Sequence, residues 1–214
     1  MYLTGYFDIL GTKALVSANR FTDLHALDFS GAVAVAALQF PFARFAAFSD
    51  CVIVSVPAEN VIGFLDVVET LWMNWLADSI WIRGGIDIGE ITWVDYSLDS
   101  TFSALPNLSI ARVYGRALVG AYEIEQTSGP GILPFSTQKA AEHIEQVCPK
   151  STFLLASPVI RFCEDQKIDR LVRLFSHFLT AHISEPERKH LEATIRALKL
   201  IQRIQEAEQA RSDV

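Results

Sequence analysis

The sequence predicts a mixed α/β sandwich with a mixed central sheet, and three observations carry that prediction. Apolar, strand-like runs alternate with helical stretches along the first 126 residues. Two of those runs, Ala43 to Phe48 and Cys51 to Val56, are separated only by Ser49-Asp50, a hairpin signal with a short polar tip. Residues Glu59 to Ser79 place Ile62, Leu65, Val68, Leu71, Trp72, Trp75 and Leu76 at the spacing of an amphipathic helix. Hairpins mixed with crossover helices point to a ferredoxin-like arrangement, a sheet covered by helices.

Taken in order, Tyr2 to Leu10 reads as a buried strand ending at Gly11, and a helical stretch starts near Thr12. An Ala-rich helix covers about Gly31 to Gln39, stopped by Pro41. The wider apolar stretch from Phe29 to Phe42 is too short to span a bilayer and reads as a buried helix. After the hairpin and its following helix, Ile80 to Ile88 is a strand interrupted by Gly84-Gly85, and Glu90 to Val94 is extended. Asp95 to Asn107 is polar and reads as an arm; Leu108 to Tyr114 returns as a strand, and Gly115 opens a helix through Glu125. Helical stretches are expected at about Ser136 to Val147, Pro158 to Ala181 and Glu185 to Ala210. The last has a capping box, Ser184 with Glu187, and an apolar line of Leu191, Ile195, Leu198 and Ile201. The expected division is therefore residues 1–128 as a catalytic-type domain and 129–214 as a mainly helical extension packed on it.

Composition narrows the function. A net charge of −7 argues against broad nucleic-acid binding, which needs a basic surface, but permits a local pocket for one triphosphate. Three scattered cysteines, Cys51, Cys148 and Cys163, form neither a disulfide framework nor a Cys-type zinc site and read as free thiols in a reducing cytosol. The start of the chain lacks a basic n-region, and no apolar run is long enough for a membrane span, so a cytoplasmic protein without a membrane partner is expected. The five histidines show no metal-ligand spacing, and Trp72, Trp75 and Trp81 read as core.

Two acids stand out by context. Asp8 lies inside the apolar strand Tyr6-Phe7-Asp8-Ile9-Leu10, and Asp50 lies at the hairpin tip between two hydrophobic strands. A buried acid is costly unless paired or metal-bound, and two at adjacent strand ends could hold a pair of Mg²⁺ or Mn²⁺ ions for phosphoryl chemistry. Each also has an ordinary explanation: hairpin-tip aspartates form turns, and a strand-end aspartate caps a following helix. Gly11 strengthens the functional reading, because a glycine there lets backbone N–H groups approach phosphate oxygens.

The set Phe7-Asp8-Ile9-Leu10-Gly11, Phe48-Ser49-Asp50, Arg83-Gly84-Gly85-Ile86 with Gly89-Glu90, and Tyr114-Gly115-Arg116-Ala117-Leu118 resembles the class III adenylate/guanylate cyclase domain, in order and spacing across residues 2 to 126. It looks most similar to the Pycsar pyrimidine cyclases of bacterial antiphage defence. The resemblance implies that Asp8 and Asp50 bind two divalent cations, Mn²⁺ or Mg²⁺, with the Ile9 carbonyl as a further ligand. It implies that Leu10, Gly11, Thr12 and Lys13 lie along the phosphates. It also implies a head-to-tail homodimer with active sites between protomers, making a cyclic pyrimidine nucleotide, read here as cyclic UMP from UTP, as a second messenger for a separate effector protein.

The chain also departs from that pattern. Ala46 stands where purine cyclases carry a base-reading lysine, and Arg112 where adenylate cyclases carry an adenine-reading aspartate. The transition-state Asn and Arg positions are Val119 and Glu123. Arginine has only donors, so Arg112 cannot accept from the adenine amino group; it suits the carbonyls of uracil, cytosine or guanine. A surface ion pair is the ordinary alternative for it. Donor chemistry leaves the base open, and the resemblance favours a pyrimidine; UTP is the expected substrate, with CTP as the alternative. Candidates to meet charge on the α-phosphate are Arg116, Arg44, Lys13 and Arg83, the last equally readable as a solvated strand-end arginine; Arg116 could serve the site across a dimer interface. A non-catalytic, cyclase-like binding module and a purely structural dimerisation domain are the competing classes.

Overall fold

The computed structural model describes all residues except 18, 20, 95–111, 155–156, 163–164, 182 and 213–214. Strand β1 (Tyr2–Ile9) leads through Gly11 into the short helix α1 (Thr12–Ser17) and then α2 (Asp23–Gln39). The hairpin β2 (Arg44–Phe48) and β3 (Cys51–Pro57) is followed by α3 (Val61–Ala77) and β4 (Ile82–Gly89). A two-stranded ribbon, β5 (Thr92–Val94) with β6 (Arg112–Tyr114), precedes α4 (Arg116–Thr127). The chain ends with β7 (Pro134–Ser136), α5 (Gln138–Val147), β8 (Thr152–Leu154), β9 (Pro158–Ile160), α6 (Asp165–Phe178) and α7 (Glu185–Ser212).

The main sheet has seven strands in the order β2-β3-β1-β4-β7-β9-β8. It is mixed: β1 runs antiparallel to both β3 and β4, whereas β7 joins β4 in parallel. Side-chain alternation then sorts the strands into two faces. On one face Phe7 meets Trp72 edge-on with ring centroids 5.3 Å apart. Phe29 of α2 stacks on Trp75 of α3 at 5.3 Å, and the Trp75 indole N–H donates to the Phe29 carbonyl at 3.1 Å. This is the main core, and it also takes in Leu191, Ile195, Leu198 and Ile201 of α7. On the other face α4 crosses β1 and β4, and the strands there present Tyr6, Asp8, Arg83, Gly85 and Asp87.

Gly85 sets how closely α4 can lie. A Cβ on it would stand 1.9 Å from the Ala121 carbonyl oxygen and 2.7 Å from the Glu125 nitrogen. Both are backbone atoms, so relief requires moving the helix. Gly85→Ala is expected to cost about 3 kcal/mol of stability, read from urea unfolding midpoints. A loss below about 0.5 kcal/mol would mean that α4 is free to shift.

Most expected elements are present with boundaries moved by a few residues, and the capping box closes as expected. The Ser184 N–H donates to the Glu187 carboxylate at 2.6 Å, and the Glu187 N–H to the Ser184 hydroxyl at 3.5 Å. Three corrections matter. The tail is not helical throughout, since Pro134–Ser136, Thr152–Leu154 and Pro158–Ile160 are strands that widen the sheet. Three-residue strands are too short to leave a period-two signature, and a proline at the first strand position reads like a helix start. Helix α2 begins at Asp23 rather than near Gly31, capped through Thr22 and His25. It is also apolar on both sides instead of wholly buried. The expected arm, 95–107, and the expected strand segment 108–111 lie outside the described residues.

Candidate active site

Asp8 is the penultimate residue of β1, and Asp50 closes the tip between β2 and β3. In register Asp8 sits opposite Cys51, and the Ile9 N–H donates to the Asp50 carbonyl at 2.9 Å. The two acids thus stand on adjacent strands, which run about 4.8 Å apart, at one end of the sheet. Ser49 beside Asp50 has φ 54°, in the left-handed region.

The electrostatics agree with that proximity. Asp8 is half-buried and its carboxyl is pushed up to about 7, first by burial, then by the charge on Asp50 and then by Glu125. The hydrogen bond at Ile9 and the Arg83 guanidinium pull in the opposite direction. Two like charges in a partly desolvated cleft repel one another, and a cation between them relieves both. Cys51, opposite Asp8, has its thiol raised to about 11 by burial, which makes it an inert packing group.

After Asp8 the chain turns sharply. Gly11 has φ +82°, a conformation that disfavours side chains, and the space where its Cβ would point is open. The Leu10 N–H is tied to the Trp81 carbonyl at 2.8 Å, and the Thr12 hydroxyl donates to the Ile9 carbonyl at 3.1 Å. That carbonyl keeps a second lone pair. Lys13 is exposed on α1. The donor set of two carboxylates and a main-chain carbonyl is all hard oxygen, which suits Mg²⁺ or Mn²⁺. No group of three or more His, Cys, Asp or Glu side chains suited to a metal occurs among the described residues. A cation at this place would have Asp8, Asp50 and the Ile9 carbonyl as its protein ligands, and would need further oxygens from phosphate or water.

Arg83 is not a solvated strand-end residue. Its side chain is 13% exposed, its Nε lies 3.5 Å from the Glu125 carboxylate, and its guanidinium also donates to the Glu125 carbonyl. Burial lowers the Arg83 pKa and raises that of Glu125, each opposed by the partner's charge. Because Arg83 is in register with Asp8, this buried pair stands beside Asp8 on the neighbouring strand. Glu125 escaped the sequence reading. The available signal was its place four residues after Ala121 and eight after Ala117, an acid on the buried stripe of α4.

The remaining site residues are elsewhere. Ala46 is buried and pairs with Ile53, which pairs with Tyr6, so it shares a sheet face with Asp8 two strands away. Arg44 is exposed on the same edge strand. Arg116 opens α4 beside Glu90, at the Tyr2 end of the sheet. Asp8 lies six residues of β1 from Tyr2, about 20 Å away. Arg112 belongs to the ribbon rooted at that same far end, where the Trp93 indole N–H donates to the Ser55 hydroxyl at 2.8 Å and Ser55 pairs with Thr4. One protomer does not bring Arg112 or Arg116 to Asp8 and Asp50.

Comparison with known proteins rests on structure alone, because no protein-family profile and no curated protein matches the sequence. A bacterial light-regulated adenylyl cyclase superposes with a TM-score of 0.50 at 11% identity, covering 74% of this chain and 50% of that one. A second structure of a bacterial light-regulated adenylyl cyclase gives 0.49 at 11% identity, covering 81% and 96%. The adenylyl cyclase CyaB from P. aeruginosa gives 0.48 at 19% identity, covering 74% and 91%. The chain spans half the length of the first of these. Its mixed sheet with flanking helices is the fold of class III adenylyl cyclases.

Proposed function

We propose that the protein is a nucleotide cyclase that converts UTP to 3′,5′-cyclic UMP and pyrophosphate. The observation that carries this reading is the adjacency of Asp8 and Asp50 at one end of a cyclase-type sheet, beside the open turn at Gly11. Bound Mg²⁺ or Mn²⁺ would supply charge neutralisation on the triphosphate and acidify the ribose 3′-hydroxyl. Asp8, Asp50 and the Ile9 carbonyl would hold the cations, and the Leu10–Lys13 turn would cradle the phosphates. The 3′-oxygen bonds to the α-phosphorus, the bond from that phosphorus to the bridging oxygen breaks, and the hydroxyl proton leaves to solvent. The protein's work is positioning and charge stabilisation.

The separation of the two half-sites supports a head-to-tail homodimer. Arg112 and Arg116 of one protomer would complete the cleft of the other, Arg112 against the base and Arg116 against the α-phosphate. Tyr114, Val119 and Tyr122 are large apolar residues left 57, 55 and 48% exposed on and beside α4, the helix on Asp8's side of the sheet. A partner protomer would cover them. UTP is preferred because Arg112 offers only donors and the motifs resemble pyrimidine cyclases; CTP is the alternative base. The proposed role is second-messenger synthesis in antiphage defence, read by a separate effector protein.

One feature favours a second reading, a binding module without turnover: Val119 and Glu123 occupy the positions where cyclases stabilise the transition state. Incubating the purified protein with each of the four NTPs and Mn²⁺ separates the two. Cyclic UMP as the main product is expected. Cyclic CMP would change the base, and absence of any cyclic nucleotide would end the enzyme reading. Arg112→Ala is expected to lower discrimination among the NTPs by about 10-fold or more, while metal affinity stays unchanged.

A further inference from the structure

Helix α2 has two apolar faces. Phe29, Ala32, Val33 and Ala36 are buried in the core. On the opposite side Leu24, Leu27, Val35 and Leu38 are 62, 67, 48 and 85% exposed, and Gly31 between them is exposed as well. At 100° per residue these five fall within about 40° of a single line, about 150° around the helix from the centre of the buried set. Scattered exposed leucines are ordinary, but a continuous stripe along a 17-residue helix is an association surface.

The stripe reads the same in both directions. Gly31 is the midpoint of Asp23–Gln39, with Leu27 and Val35 four residues to either side and Leu24 and Leu38 seven. A two-fold axis through Gly31, perpendicular to the helix, therefore exchanges Leu24 with Leu38 and Leu27 with Val35. An isologous dimer needs this self-complementarity, because each residue must meet the symmetry mate of another apolar residue. The same operation sets Asp23 against Gln39 and Asp28 against Ala34, so no acid faces an acid. It also opposes the two helix dipoles. A Cβ on Gly31 would touch nothing in its own protomer, so the crossing point is unobstructed and two backbones can approach closely. The four large side chains offer on the order of 500 Å² per protomer, about 1,000 Å² for the pair, the lower limit of a specific interface.

The geometry points to a second copy of this chain as the occupant, docked antiparallel through α2. This surface lies on the sheet face opposite Asp8, so the contact is separate from the head-to-tail cyclase interface and would join one such dimer to another. It does not depend on any reading of the chemistry.

Sedimentation velocity of the full chain at tens of micromolar tests it. Wild type is expected to show at least about twice the mass of the Leu27→Glu/Leu38→Glu variant, and the two are expected to have equal thermal midpoints once dilution dissociates wild type. Cross-linking tests the geometry, in a background where Cys148 and Cys163 are replaced by serine. Gly31→Cys is expected to form a disulfide with its own copy, Leu24→Cys alone is not, and Leu24→Cys/Leu38→Cys is. Equal masses for wild type and the glutamate variant would overturn the proposal, including the case where another protein binds the stripe. So would efficient cross-linking by Leu24→Cys alone.

Discussion

Asp8→Asn and Asp50→Asn are each expected to lower turnover by at least about 10³-fold while leaving the fold intact, because each removes a charge on which the proposed cation binding depends. For Asp8 the stability effect runs the other way. Its carboxyl holds a proton up to about pH 7 in the folded protein, against an ordinary value of 3.8. The folded state therefore carries more protons between those limits, and stability falls as pH rises across them. Above pH 7 the full cost of the charge is present. Discounted for partial exposure, that cost is about 1–2 kcal/mol. Asp8→Asn should thus melt about 3–6 °C above wild type at pH 8 without metal, with less than half that gap at pH 5. Adding Mn²⁺ should raise the wild-type midpoint and leave the variant's unchanged. A variant that melts below wild type at pH 8 would show that Asp8 is stabilised by its surroundings, contrary to the proposed cation-binding role.

Complementation gives the second large effect. Asp8→Ala and Arg116→Ala are each expected to be inactive alone, because in the proposed head-to-tail homodimer every site of either variant lacks one component. Mixed in equal amounts, half of the dimers would pair one of each, leaving one site doubly damaged and the other whole. About a quarter of wild-type activity should return. The basis is the roughly 20 Å along β1 between the end that carries Asp8 and the end where α4 begins. No recovery on mixing, with exchange of protomers verified by mass, would place Arg116 outside the site. Recovery by Asp8→Ala mixed with Asp50→Ala would contradict the shared cleft, since those two defects fall in the same half.

The cost of an acid in an apolar strand makes Asp8 conspicuous in the sequence alone. Asp50 was legible for the same reason, at a tip flanked by runs of hydrophobic residues. Arg83 and Glu125 show where such reasoning stops. They are 42 residues apart in sequence, and only the crossing of α4 over β4, allowed by Gly85, makes them one ion pair. Helix α2 was half legible: its inner face fits the period of a buried helix, but its outer leucines blur that period and hid the first turns.

Local chemistry was enough to determine the strands of the first 126 residues, the hairpin, most helices and the two acids, because side-chain period, turn residues and the penalty for burying charge act over a few residues. The tertiary structure alone decided which strand lies beside which, that three strands of the tail join the sheet, and that Arg112 and Arg116 sit far from Asp8 and Asp50. Those outcomes depend on contacts between distant segments, whose free energy is shared among many side chains and so is marked on none of them singly.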